Sequence, residues 1–152
     1  MKVYELKREQ VLPLSQDEAW KFFSTPLNLA TITPPELDFK VLSKLDGKPI
    51  YSGMIISYIV RPLFKIPLRW KTEIKDVLAP NKFVDTQLRG PYRLWEHTHI
   101  FKPVEGGVHM TDIVKYALPL GPLGTIAHSL VVKQQLKRIF DFREQKLREL
   151  FN

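Results

Sequence analysis

Residues 123–151 read LGTIAHSLVVKQQLKRIFDFREQKLRELF, a run with no proline and, after Gly124, no glycine. At about 100° per residue, Ile126, Val132, Leu136, Ile139, Phe140, Leu147, Leu150 and Phe151 share one broad face, with Arg138, Asp141, Glu144, Gln145, Arg148 and Glu149 opposite. The spacing predicts one long amphipathic helix. Gly121-Pro122-Leu123-Gly124 interrupts the chain before it, and Thr125 is placed to cap its first turn. Such a helix is roughly 40 Å long, so its apolar face needs an equally extended cover, which a curved sheet supplies.

One residue disturbs the stripe. Arg143 projects between Ile139, Phe140 and Leu147, with Lys133 nearer the edge. A charge in that place must be paired, reach out along its own stem, or face a hollow holding water or ligand.

The preceding chain supplies the sheet. Val3 to Leu12 reads as a strand stopped by Pro13, and Ser15-Gln16-Asp17-Glu18 is a capping box that opens a short helix with Trp20 and Phe23 on its core side. A second short helix follows Thr25-Pro26 and ends before Pro34-Pro35. Strands are then expected at Phe39–Ser43, Ile50–Val60, Leu68–Ile74, Phe83–Leu88, Tyr92–Phe101 and Val108–Leu118, joined by tight turns such as Asp46-Gly47-Lys48-Pro49 and Ala79-Pro80-Asn81. Successive strands with short connections make an antiparallel meander, with the last helix lying across its inner face. The fold class is α+β: about seven strands in a curved antiparallel sheet wrapped around a long C-terminal helix, two short helices after the first strand, and one domain over residues 1–152.

Composition narrows the function. The 152 residues are 44% hydrophobic, enough for one core, and carry 23 Lys and Arg against 16 Asp and Glu, a net charge of +7. No basic block of nucleic-acid type stands out, and the sheet turns its aromatic residues inward, so no nucleic-acid partner is expected. There is no cysteine, no apolar signal core at the N-terminus and no apolar run of about 18 residues, which fits a cytoplasmic protein.

The order of elements, together with Trp20-Lys21-Phe22-Phe23, Ile32-Thr33-Pro34, Gly90-Pro91-Tyr92, Trp95-Glu96-His97-Thr98-His99-Ile100-Phe101 and Met110-Thr111-Asp112, resembles bacterial members of the SRPBCC superfamily. The resemblance extends over essentially the whole chain. It implies the START-like helix-grip fold shared with lipid-transfer domains, polyketide cyclases and the major birch-pollen allergen, and a cavity between sheet and helix. Relatives hold sterols, lipids, quinones, hormones or polyketides there, and the resemblance does not select among them.

Strand alternation proposes what faces that cavity. Trp70 and Thr72 share the side opposite Arg69 and Lys71; Trp95, His97, His99 and Phe101 form one set, and Met110, Asp112, Val114 and Tyr116 another. Asp85 and Gln87 share the parity of Phe83, with Val84 and Leu88 as the competing inward pair. The expected ligand-binding residues are therefore Arg143, His97, His99, Asp85, Gln87 and Asp112, with Trp70, Trp95, Tyr58, Met110, Tyr116 and Ile139 as walls.

Two readings of the polar set compete: Arg143 answering a ligand head group, or Arg143 pairing with Asp85 or Asp112 while the histidines bond to neighbouring carboxylates. His97-Thr98-His99 has the spacing of two metal ligands on one strand face, but a site would need Asp85, Asp112 or Glu96 to complete it, and neither metal nor cofactor is expected. Acid–base catalysis by His97 and His99, oriented by an aspartate such as Asp112, is the alternative to simple binding. The partner expected is a small hydrophobic or amphipathic molecule. The loops at 61–67 and 119–124, apolar and flanked by Arg61, Lys65 and Arg69, suit transient contact with a membrane surface or packing back on the cavity end.

Overall fold

A computed structural model describes residues 1–62 and 64–152; Leu63 of the first apolar loop lies outside the described residues. Seven strands form one antiparallel sheet: β1 (Tyr4–Leu12), β2 (Lys40–Val41), β3 (Ile55–Val60), β4 (Leu68–Leu78), β5 (Lys82–Arg89), β6 (Leu94–Val104) and β7 (Gly107–Ala117). Their spatial order is β1-β7-β6-β5-β4-β3-β2, so the first strand closes onto the last and the rest is the expected meander. Two short helices, α1 (Gln16–Phe23) and α2 (Asn28–Thr31), follow β1. The capping box at α1 is complete, Ser15 Oγ accepting from the Glu18 amide while the Glu18 carboxylate accepts from the Ser15 amide.

Two expected strands are shorter than their sequences suggested. Only Lys40–Val41 of 39–43 and Ile55–Val60 of 50–60 pair, because the Ser52-Gly53 turn and the burial of Ile50 and Met54 as loop residues take up the remainder. Tyr92 lies ahead of β6 in the turn, where its amide and carbonyl are both bonded by the Gln87 side chain.

The C-terminal helix starts earlier and is less uniform than its wheel implied. α3 (Gly121–Ala127) takes Gly121 and Pro122 into its first turn, after Leu120 in the left-handed region at φ 73°, and Thr125 bonds back to the Gly121 carbonyl instead of capping. A π-helical turn over His128–Val132 then leads into α4 (Lys133–Leu150). Residues in such a turn rotate less than 100° each, so five of them lag the α-helical phase by about a quarter turn. The correction moves Ile126, placed on the covered face by a continuous wheel, to the outside, where it is 56% exposed. It also brings His128 into line with Leu136, Phe140, Arg143 and Leu147, all of them buried.

The interior is layered. At one end Leu12, Phe83, Phe101, Met110 and Leu147 pack with α1; at the other Trp95, Val114, Tyr116, Leu136 and Phe140 form a second apolar cluster. Strand register puts Asp85 opposite His97 and His99 opposite Asp112, so a polar layer crosses the sheet between these clusters, and Arg143 meets it from α4. From the other face of α4, Arg8 on β1 reaches Asp141 at 2.8 Å and Gln10 donates to the Glu144 carbonyl at 3.0 Å, fastening the helix to the edge strand.

Candidate functional site

The exact two-residue period of β6 carries Trp95, His97, His99 and Phe101 to the inner face, as the alternation required. His97 and His99 stack with ring centroids 3.7 Å apart. Each histidine has its own carboxylate: His97 Nε2 donates to Asp112 Oδ1 and His99 Nε2 donates to Asp85 Oδ2, both at 2.7 Å. Arg143 Nη2 donates to the same Asp112 oxygen at 3.2 Å, and its guanidinium lies over the rings of Phe23 and Phe140. Arg143 is thus both paired and set against a hollow.

That hollow has a volume of about 320 Å³ and lies between the inner face of β3–β6 and the C-terminal helix, with α1 and α2 closing its side. Arg143, His97, His99, Asp85, Trp70, Trp95, Tyr58 and Ile139 line it. Asp112, Met110, Tyr116 and Gln87 do not. Asp112 sits behind His97 and Arg143, Met110 belongs to the apolar cluster beside α1, and Gln87 is spent on the Tyr92 backbone. Tyr116 bonds His128 Nε2 through its hydroxyl at 2.7 Å, in a stack completed by Tyr4.

Sequence reasoning missed several walls. Phe22, Ile32 and Phe39 line the hollow, as does Phe23, whose helical spacing marks it only as core-facing. Phe22 and Phe23 are adjacent on a helix of two turns, and nothing in so short an apolar stretch distinguishes a cavity wall from filled core. The Tyr116–His128 bond was hidden by the π turn.

Electrostatics at the polar layer follow from burial and partners. Burial alone would raise the Asp112 carboxyl, but the Arg143 charge and the His97 hydrogen bond outweigh it and hold it well below the usual carboxylate range. Asp85 is lowered likewise, burial opposing and the His99 hydrogen bond with the Arg143 charge prevailing. Burial, reinforced by His97, pushes His99 down to about 4, so it is neutral at pH 7. That fits the Nε2–H tautomer donating to Asp85 and leaves Nδ1 as a bare lone pair without a hydrogen-bond partner, 3.4 Å from Asp112. Tyr58, bonded to Thr72 Oγ1 at 3.1 Å, is pushed up by burial and by the Asp85 charge, so it stays a neutral hydroxyl. The Trp70 indole N–H and Arg143 Nε are buried without partners.

Asp85, His97 and His99 also offer one ligand atom each within 4.8 Å of one another. Two of the atoms on offer are already bonded to each other, Asp85 Oδ2 lying 2.7 Å from His99 Nε2. A metal taking those two atoms would have to displace that bond and enter beside the Arg143 charge.

Sheet order and the helix laid across the inner face define a helix-grip fold. Solved structures bear this out. The chain aligns with a putative uncharacterized protein from Rhizobium leguminosarum at TM-score 0.69 and 13% identity, over 96% of this chain and 95% of that one. Protein Ms6760 from Mycobacterium smegmatis aligns at TM-score 0.66 and 14% identity over 97% and 96% of the two chains. Ara h 8.0201 aligns at 0.61 and 15% over 96% and 98%. At such identities the likeness is one of fold. No protein-family profile and no curated protein sequence matches the chain.

Proposed function

We propose that this protein belongs to the SRPBCC superfamily and binds a small amphipathic molecule in the cavity between sheet and C-terminal helix. The observation that carries this reading is an apolar hollow of about 320 Å³ into which one charged layer is set, Asp85 and the two histidines from the sheet and Arg143 from the helix. That is the size and make-up of small-molecule sites: mostly apolar walls with a few convergent polar groups.

Charge selects the head group. Two ionised carboxylates, Asp85 and Asp112, face one guanidinium, and His99 is neutral. A free carboxylate would be brought beside two carboxylates already present there. A neutral hydroxyl or phenol, donating to Asp85 and accepting from Arg143, suits it better, with a planar body against Trp70, Trp95 and Tyr58. Hydroxylated aromatic, quinol or polyketide-type molecules meet both requirements, whereas a free fatty acid, with a charged head and a flexible aliphatic body, meets neither.

The test is native mass spectrometry of the purified protein, with the fraction released on denaturation identified, followed by displacement of the neutral dye N-phenyl-1-naphthylamine. A discrete organic mass, or dye displaced by phenols in preference to fatty acids, is expected. A protein that takes up no dye, or takes it up unchanged after Ile139→Trp fills the hollow, overturns the reading.

Catalysis is the second reading, favoured by two aspartate–histidine pairs of 2.7 Å on the cavity wall. Such pairs supply an oriented acid or base to an enolisable substrate. Under it, His97→Gln and His99→Gln abolish turnover with dye binding intact.

A further inference from the structure

The C-terminal helix begins with its polarity reversed. In α3 and the turn after it, Gly124 and His128 are buried against the protein, while Leu123, Ile126 and Leu130, spaced i, i+3 and i+7, form a stripe pointing outward with exposures of 66%, 56% and 72%. Leu120, just before the helix, is 72% exposed. No other part of the described chain covers this stripe. A second apolar projection stands nearby: Phe64 is 90% and Ile66 56% exposed, with Phe64 and Lys65 both in the left-handed region, a turn that holds their side chains outward. The two projections are joined where Gln135 donates to the Pro62 carbonyl at 2.7 Å, and both border one cavity, which Pro62, Leu118 and Val132 line.

Charge identifies the occupant. No acidic residue lies between Asp46 and Glu73 or between Asp112 and Asp141, so both segments bring only apolar, polar and basic side chains, among them the exposed Lys65 and Lys133, and the acid that reaches the loop, Asp38, is paired with Arg61 at 3.3 Å. A second copy of the chain would set these cations against one another across a two-fold contact. An anionic surface would complement them while its hydrocarbon takes up the leucines.

We propose that α3, with the exposed turn at Phe64–Ile66, docks on an anionic phospholipid bilayer and so brings the cavity end bordered by Pro62, Leu118 and Val132 to the membrane. The proposal stands on the surface alone and does not depend on what fills the cavity.

The test is co-sedimentation with phosphatidylcholine vesicles prepared with and without phosphatidylglycerol. The full chain is expected to sediment with the anionic vesicles, less so as salt is raised, and the Leu123→Ser/Leu130→Ser double variant to partition at least about tenfold more weakly with an unchanged circular dichroism spectrum. Lys133→Glu, which leaves the stripe whole, is expected to weaken binding to the anionic vesicles alone. Ile139→Trp, filling the cavity, is expected to leave vesicle binding as it was, whereas the double serine variant retains dye binding, so the docking surface and the cavity fail separately. The proposal is overturned if the full chain ignores anionic vesicles, if the double variant binds them equally, or if light scattering shows a dimer that the same serines dissolve.

Discussion

Asp112 never touches the hollow, yet it holds two of the cavity's polar groups, His97 and Arg143, through one carboxylate oxygen. Replacing it by alanine strands a buried guanidinium, which costs on the order of 3 kcal/mol, read as a shift in the urea unfolding midpoint. Arg143→Met should cost less, because His97 still satisfies Asp112 and the methionine stem fills the space over Phe23 and Phe140. The same layer sets an acid limit. His99 titrates near 4 in the fold against its ordinary 6.5, so the unfolded chain takes up a proton first and stability falls as pH drops through that interval. Both aspartates are depressed below 3.8, and their contribution, full above that value, is lost on further acidification. Unfolding midpoints measured from pH 7 downward should decline below about 6.5 in the protein, and His99→Gln should flatten the first part of that decline.

At the scale of elements, the facing of strand side chains was legible to the residue, while strand ends and the phase of the last helix were not. A strand's side chains alternate without drift, so fixing Trp95 as inward fixed His97 and His99 as well, and pairing with β5 and β7 then brought Asp85 and Asp112 beside them. Gln87 obeyed the same parity and failed because it lies near a turn, whose backbone claimed its amide. The helix wheel failed at Ile126 because the phase is cumulative and one π turn shifts everything before it. Element-level predictions follow from contacts too tight or too local to miss. A Cβ on Gly124 would collide with the Pro119 carbonyl oxygen, so Gly124→Ala should displace α3 and destabilise by about 1–3 kcal/mol in thermal unfolding. Ser15→Ala removes the acceptor for the Glu18 amide and should cost about 1 kcal/mol, leaving dye binding unchanged because Ser15 is remote from the hollow.

Across the whole molecule, the sequence disclosed the architecture because its elements are consistent with one another: every strand has an inward set and the last helix supplies the matching stripe. Volume was the part it withheld. Whether Phe22, Phe23 and Ile32 meet or stand apart depends on how far α1 and α2 sit from the sheet, and no periodicity encodes that distance. A hollow of this size should respond to being filled. A phenol bound at 100 times its dissociation constant adds about 2.7 kcal/mol, a thermal shift of several degrees for a domain of this size, and Ile139→Trp should abolish the shift.

The π turn has one more implication, for tolerance of changes in chain length. It amounts to one residue inserted into an otherwise α-helical run, and removing Val131 lets the turn relax to an ordinary helix with His128 on one side and Leu136 on the other still facing the sheet. Deleting Lys137, six residues on, has no such slack to draw on and swings Arg143 about 100° relative to the upstream helix. Of two single-residue deletions in the same helix, the first should yield a folded, dye-binding protein and the second should not.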